Sequence, residues 1–276
     1  MFGVNLVFMV ALAAPAAAAA ADASAWDGGQ RASVRLVGGM VQMSGAGKIY
    51  RAGVEIRLAD GWKTYWRYPG DAGIPPRFDF SRSTNVKSVN VRWPAPHRFT
   101  DDSGTSIGYK HGVIFPLEVV PEDATKPVGL ALNIDYAVCE KLCVPADGKA
   151  ELKLYGKSGE QNERIKASEA TVPLPAKLGA DDALSVRAAR RKPGDKPRVV
   201  VDVAVPQGRT VELFAEGPAA DWALPVPMPI EGAPPGQQRF IFEIDGVPPG
   251  SSADGATLTL TATAGGQAIE VPYRLD

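Results

Sequence analysis

Cysteine and histidine are scarce in this sequence, with two of each among 276 residues. A chain of this length can build its own hydrophobic core, unlike the small scaffolds that depend on several disulfides. Neither sign of charge is in excess, because 30 Lys and Arg stand against 31 Asp and Glu for a formal net charge of -1. That balance argues against a nucleic-acid partner, since nucleic-acid-binding proteins usually carry a clear basic excess.

Long hydrophobic runs are also lacking. Outside the first residues of the chain, no apolar run approaches the roughly 18 residues that span a bilayer. At the start of the chain, the apolar stretch Leu6–Leu12 is followed by the small residues Ala16–Ala21. This pattern predicts an export signal over residues 1–23, cut after Ala21 or Ala23. The first five residues lack Lys and Arg, so an uncleaved membrane anchor is the alternative. After cleavage we expect an exported, soluble protein in an oxidising compartment.

The rest of the chain is predicted to be all-β. Hydrophobic residues make up 45% and charged residues 22%, as in globular domains. Short alternating stretches recur between Gly, Pro and Asp turns, which favours antiparallel sandwiches. The predicted strands are Ala32–Val37, Ile49–Leu58, Val113–Val119, Val128–Val138, Ala150–Tyr155, Arg198–Val205, Thr210–Phe214, Arg239–Ile244, Thr257–Thr263 and Ala268–Tyr273.

Two domains are predicted, separated by a polar segment. That segment contains a helical stretch, Gly159–Ala170, and ends in Val172-Pro173-Leu174-Pro175, which is typical of a linker. We therefore expect domains over residues 26–156 and 181–276, joined by a linker over 157–180. The second domain has neither cysteine nor histidine, so any chemistry is expected in the first.

The two cysteines, Cys139 and Cys143, form a C-x3-C pair. Apolar residues alternate along Val128–Val138, and Cys139 has the opposite parity. Because strand side chains point alternately to opposite faces, Cys139 is expected to point away from the main apolar face. The short spacing suits a tight hairpin-like turn, across which the two side chains can come within disulfide range.

A bridge this short stabilises a fold weakly. Loop-closure entropy gives about 2 kcal/mol for a five-residue ring, against nearly 5 kcal/mol for a loop of about 100 residues. A close pair at a strand end in an exported protein therefore favours thiol–disulfide exchange, which needs an accessible disulfide. A structural bridge and a metal site are the alternatives. Which cysteine attacks a partner is left open.

Three segments resemble the periplasmic N-terminal domain of DsbD-type thiol:disulfide interchange proteins, in the variant found in suppressor-of-copper-sensitivity reductases. They are Tyr136–Pro145 with the cysteine pair, the run Gly61–Pro76, and Trp93–Phe99. The resemblance implies an immunoglobulin-like sandwich in which Cys139 and Cys143 cycle between dithiol and disulfide. We therefore expect two immunoglobulin-like antiparallel sandwich domains, in the periplasm.

The resemblance also implies partners. A membrane-embedded thiol reductase would donate electrons, and periplasmic thioredoxin-fold proteins would accept them. The family spaces its cysteines more widely than this chain does. The sequence ends at Asp276 without a membrane domain, so the donor is expected to be a separate protein.

Aromatic residues near the cysteines are further candidates. Candidates for a wall beside the sulfurs, or alternatively for sandwich core, are Trp62, Tyr65, Trp66, Tyr68 and Tyr136. The resemblance also implies a cap loop that shields the disulfide. The polar, Gly-containing stretch Phe99–His111 is the candidate for it, with Phe99 and Tyr109 as shielding rings. The alternative is an ordinary surface loop.

No cofactor and no metal site are predicted. Copper binding by the cysteine pair is the second functional hypothesis, because thiolates with methionine or histidine suit Cu(I). The candidates that could assist are His97, His111, Met40 and Met43. A third hypothesis is a non-catalytic sandwich that binds other proteins and carries an inert bridge.

Overall fold

The computed structural model describes residues 22–45, 47–71, 73–101, 104–156 and 159–276. The predicted signal segment, 1–23, lies outside these residues except for its last two. In the described ranges nearly all regular structure is β, with one short helix, so the all-β prediction is confirmed. No helix in this part of the chain is long and apolar enough to cross a bilayer.

The first half of the chain forms two antiparallel sheets. Their orders are β1-β2-β3-β9-β6 and β11-β10-β4-β8-β7, with β5 paired to β10. The strands are β1 (Asp27–Gly28), β2 (Ala32–Ser44), β3 (Gly47–Leu58), β4 (Lys63–Gly70), β5 (Arg77–Asp79), β6 (Val86–Val91), β7 (His97–Asp101), β8 (Gly104–Lys110), β9 (Gly112–Pro121), β10 (Val128–Cys139) and β11 (Cys143–Leu154).

The second half begins with the helix α1 (Gln161–Glu169) and continues as two four-stranded sheets. Their orders are β12-β19-β18-β15 and β13-β14-β17-β16. The strands are β12 (Leu174–Pro175), β13 (Ser185–Lys192), β14 (Arg198–Ala204), β15 (Glu212–Glu216), β16 (Met228–Ile230), β17 (Gln237–Glu243), β18 (Thr257–Ala264) and β19 (Gln267–Arg274).

Each half has its own hydrophobic core, built from the inward side chains of its two sheets. Phe214 and Val226 belong to the second half by sequence, yet they are buried in the core of the first. Each fully buried side chain of this size contributes roughly 1.5–3 kcal/mol, so these two residues join the halves firmly. The halves therefore share an apolar contact as well as a covalent connection.

The segment predicted as a linker is folded against its neighbours. Its helix was predicted and is present at Gln161–Glu169. Glu169 receives hydrogen bonds from Arg51 on β3, and the hydroxyl of Ser168 donates to the carbonyl of Ile114 on β9 at 2.5 Å. At its end, β12 pairs with β19 of the second half. This stretch is thus attached to both halves.

Candidate functional site

The two cysteines lie directly opposite each other where β10 ends and β11 begins. Residues 140–142 form the turn, Cys139 and Cys143 are register partners, and their Cα atoms are 4.1 Å apart in a disulfide. The inward face of β10 fills the main core, whereas Cys139 lies on the other face in a small cluster with Tyr65 and Ala137. The predicted orientation of Cys139 is therefore confirmed.

The two sulfur-bearing residues differ in access to solvent. Cys139 is 2% exposed, whereas Cys143 is exposed at the start of β11. An attacking thiolate can therefore reach Cys143, and attack there would make the buried Cys139 sulfur the leaving group.

Tyr65 covers the buried sulfur. Strand β4 runs beside β10, with Lys63 opposite Cys139 and Thr64 opposite Val138. The Thr64 hydroxyl donates to the carbonyl of Ala137 at 2.9 Å and fixes this pairing. The Tyr65 hydroxyl consequently lies 2.6 Å from Cys139 Sγ and 3.1 Å from Cys143 Sγ. It can donate a hydrogen bond to either sulfur.

Lys63 connects the neighbouring strands around the same site. Its buried ammonium group donates to Asp101 Oδ2 at 2.8 Å and to Ser106 Oγ at 2.9 Å. Burial first, and the charge of Asp101 second, raise the pKa of the Tyr65 hydroxyl above its ordinary value, so this group stays protonated. A small cleft opens between these groups and the disulfide; it is also lined by Gly104, Thr105, Glu140 and Lys141.

Residues 39–154 match the family model described as thiol:disulfide interchange protein DsbD, N-terminal. This segment is similar to the DsbD N-terminal family. The whole fold resembles the crystal structure of the N-terminal periplasmic domain of ScsB from Proteus mirabilis, with a TM-score of 0.70 at 21% identity. That match covers 92% of this chain and 98% of the other, so the shared fold extends beyond the DsbD segment. No curated protein sequence matches the chain.

The predicted cap loop of the DsbD segment is a β-hairpin instead. Strands β7 and β8 pair with each other, and β8 also pairs with β4. Side chains alternate along β8, so Ser106 faces Lys63 whereas Ile107 and Tyr109 enter the main core. The loop prediction was therefore wrong, although Asp101 and the residues 104–106 of this hairpin do line the cleft.

The two rings predicted to shield the sulfurs lie elsewhere. Tyr109 is buried in the core, where its hydroxyl donates to the carbonyl of Pro94 at 2.8 Å and its ring meets Phe115 edge-on. Phe99 is half-buried on β7, with the ammonium of Lys110 4.5 Å from its ring centre. Neither ring lines the cleft beside the disulfide.

Of the five aromatic residues predicted as wall candidates, the structure brings Tyr65 to the sulfurs. Trp66 and Tyr136 are buried in the main core, and Trp62 and Tyr68 pack against its edge. Burial first, then the charges of Asp71 and Glu216, raise the pKa of Tyr68 to about 12. The core interpretation thus holds for the other four.

The sequence interpretation missed Lys63, Asp101, Ser106 and Gly73. Gly73 packs against the Tyr65 ring, and a side chain there would overlap that ring. The sequence did contain a signal for Lys63. It lies two residues from Tyr65, so in a strand both side chains are on the same face. The contacts of Asp101 and Ser106 depend on the β7–β8 hairpin, which was not predicted.

The residues considered for copper are dispersed. His97 is exposed with its ring 4.0 Å from Glu212, and His111 occupies the turn between β8 and β9 at a φ of 65°. Met40 and Met43 lie at the exposed end of β2. Among the described ranges, no group of three or more His, Cys, Asp or Glu side chains is arranged to hold a metal ion.

Proposed function

We propose that this protein is an exported thiol:disulfide exchange module that passes electrons from a membrane-embedded thiol reductase to periplasmic thioredoxin-fold proteins. The observation that carries the proposal is the asymmetry of the disulfide. Cys143 is open to a partner, whereas Cys139 is buried against the Tyr65 hydroxyl. The match of residues 39–154 to the DsbD N-terminal family model supports it. No nucleic acid, metal or cofactor takes part.

Reduction of the module needs one dithiol from the donor. A donor thiolate attacks Cys143 Sγ, the bond to Cys139 breaks, and Cys139 leaves as a thiolate that takes up a proton from water. The donor's second thiolate then attacks the donor sulfur of the mixed disulfide and releases Cys143 as a thiolate, which takes up the second proton from water. The donor ends as a disulfide, and the module has gained two electrons and two protons.

Transfer to the acceptor reverses the order. The Cys143 thiolate attacks the acceptor's disulfide, and one acceptor sulfur leaves as a thiol. Cys139 then attacks Cys143 Sγ, closes the disulfide again and releases the acceptor as a dithiol. In both directions Cys139 carries negative charge transiently, and the Tyr65 hydroxyl 2.6 Å away can donate to it. This hydrogen bond from Tyr65 lowers the free energy of the Cys139 thiolate as it leaves.

The proposed architecture has two immunoglobulin-like antiparallel sandwich domains, over residues 26–156 and 181–276, with the connecting segment 157–180 between them. Two sheets and one core in each half support this division. We place the protein in the periplasm, reached through the signal segment 1–23. The match of residues 39–154 to the DsbD N-terminal family model supports this location. The matched ScsB fragment is itself described as periplasmic.

A trapping experiment tests the function. The variant Cys139→Ser leaves Cys143 as the single thiol. The partner is a thioredoxin-fold protein whose second active-site cysteine is replaced by serine and whose first is activated as a mixed disulfide with thionitrobenzoate. The Cys143 thiolate should displace thionitrobenzoate and form a stable mixed disulfide with this partner. Cys143→Ser is the matched control and should trap far less, because Cys139 is buried. A copper chelator is present throughout. If neither variant forms the adduct, the proposed function is wrong.

A further inference from the structure

The segment that follows Tyr65 leaves the sheet before it returns. Lys63, Thr64 and Tyr65 pair in order with β8, but the pairing breaks there and resumes only between Gly70 and Ser106. Trp66 and Arg67 therefore lack β8 partners for their backbone in this ladder. Their position depends on what their side chains contact.

Those side chains contact the second half of the chain. The Arg67 guanidinium binds both carboxylate oxygens of Glu216 at 2.7 Å, and it also donates to Glu270 at 2.5 Å. The Trp66 ring packs on Phe214 with 5.7 Å between ring centres. Arg67 also stacks over Trp66 at 4.3 Å. A planar guanidinium suits this fork-like binding, so the geometry is specific.

The returning end of the segment reaches the redox site. The backbone N–H of Asp71 donates to the carbonyl of Thr105, and the N–H of Thr105 donates to the Asp71 carboxylate, each at 2.9 Å. Two residues later, Gly73 packs on the Tyr65 ring. The excursion, residues 66–69, thus begins next to Tyr65, is fixed in its middle by Arg67, and ends shortly before Gly73, which packs on the Tyr65 ring.

We propose that Arg67 is a positioning residue for disulfide exchange, and that the second half of the chain supports the site by holding it through Glu216 and Glu270. The proposal rests on the proposed function, because it assigns Arg67 a role in the reactivity of the same disulfide. Arg67 acts on Cys139 indirectly, since the hydroxyl that touches the sulfur belongs to Tyr65.

The ion pairs of Arg67 with Glu216 and Glu270 are partly shielded from solvent, so breaking them should affect the position of the segment. The exposed fractions are 27% for the Arg67 side chain, 16% for Glu216 and 28% for Glu270. Removing the guanidinium leaves the two carboxylates half-buried without their shared cation, and like charges so placed repel. The excursion should then shift and carry the Tyr65 hydroxyl away from Cys139.

The test measures the rate constant for reduction of the Cys139–Cys143 disulfide by dithiothreitol in the full chain. Arg67→Gln should slow reduction by about threefold or more, because residues coupled through a shared backbone shift affect one another at this scale. In the Tyr65→Phe background the same substitution should change nothing further. Arg67→Lys should retain part of the wild-type rate. Glu270→Gln, a milder change, should act in the same direction if Arg67→Gln does not fold.

Arg51→Gln is the matched control, because Arg51 forms a comparable ion pair with Glu169 that does not touch β4. It should lower thermal stability and leave the rate unchanged. The proposal is overturned if folded Arg67→Gln and Glu270→Gln reduce at the wild-type rate. It is also overturned if Arg67→Gln slows reduction equally with and without the Tyr65 hydroxyl. Failure of the trapping experiment would refute the exchange function separately, since this assay needs no protein partner.

Discussion

The hydroxyl of Tyr65 lies 2.6 Å from Sγ of Cys139, the buried member of the disulfide. Because the same oxygen is 3.1 Å from Cys143 Sγ, one group faces both sulfurs. The arrangement pairs an exposed point of attack with a leaving group that already has a hydrogen-bond donor. It is the chemical basis of the exchange function proposed above.

Removing that hydroxyl should slow reduction of the disulfide. Tyr65→Phe keeps the ring and deletes the donor to the departing Cys139 thiolate, which is worth about 1.5 kcal/mol, or roughly tenfold in rate. Since burial first and Asp101 second raise the pKa of Tyr65, the difference should persist from about pH 6 to 9. Stopped-flow reduction by dithiothreitol measures it; equal rates would remove Tyr65 from the mechanism.

Gly73→Ala should have a similar effect by moving the Tyr65 ring. The added methyl would overlap the ring, so the ring must shift and its hydroxyl must leave the sulfurs. Gly208→Ala is the matched control, because Gly208 also has a positive φ, 71°, but open space around it. Both variants should lose roughly 1–3 kcal/mol from backbone strain, yet only Gly73→Ala should reduce more slowly. Equal reduction rates would contradict the packing argument.

Most of β10, and the end of β11 from Ala150, could be predicted because their inward faces alternate strictly. Strand β4 could not, since Lys63 faces a buried site and Trp66 faces the core, which leaves no polar face. Strand β8 looked like a loop because Gly108 interrupts it. That glycine is required because a side chain there would overlap the backbone of Thr64. The partners of Arg67 lie 149 and 203 residues away, beyond any local pattern.

The disulfide should contribute little to stability. Replacing both cysteines, as Cys139→Ser with Cys143→Ser, should lower the free energy of unfolding by no more than about 2 kcal/mol, because the ring closed is so small. Urea denaturation followed by circular dichroism gives this value directly. A loss large enough to unfold the protein at ambient temperature would instead support the structural bridge.

Leu142 should help to bind the protein partner. Its side chain is 74% exposed in the turn between the cysteines, where a partner approaching Cys143 must contact it. Leu142→Ser should slow exchange with a thioredoxin-fold protein by about fivefold, a typical cost for an apolar contact of about 1 kcal/mol. Reduction by dithiothreitol should be unaffected. Met43→Ser, at a site 73% exposed on β2, is the control; if it slows exchange as much, Leu142 has no special role.

The redox potential of the Cys139–Cys143 pair tests the central claim most directly. Equilibration with glutathione or dithiothreitol buffers, followed by alkylation of free thiols and mass measurement, gives the fraction reduced at each ratio. An exchange-active pair should have a potential above about -300 mV, within reach of periplasmic thiol carriers. A potential below about -300 mV would identify a structural bridge and contradict the proposed function.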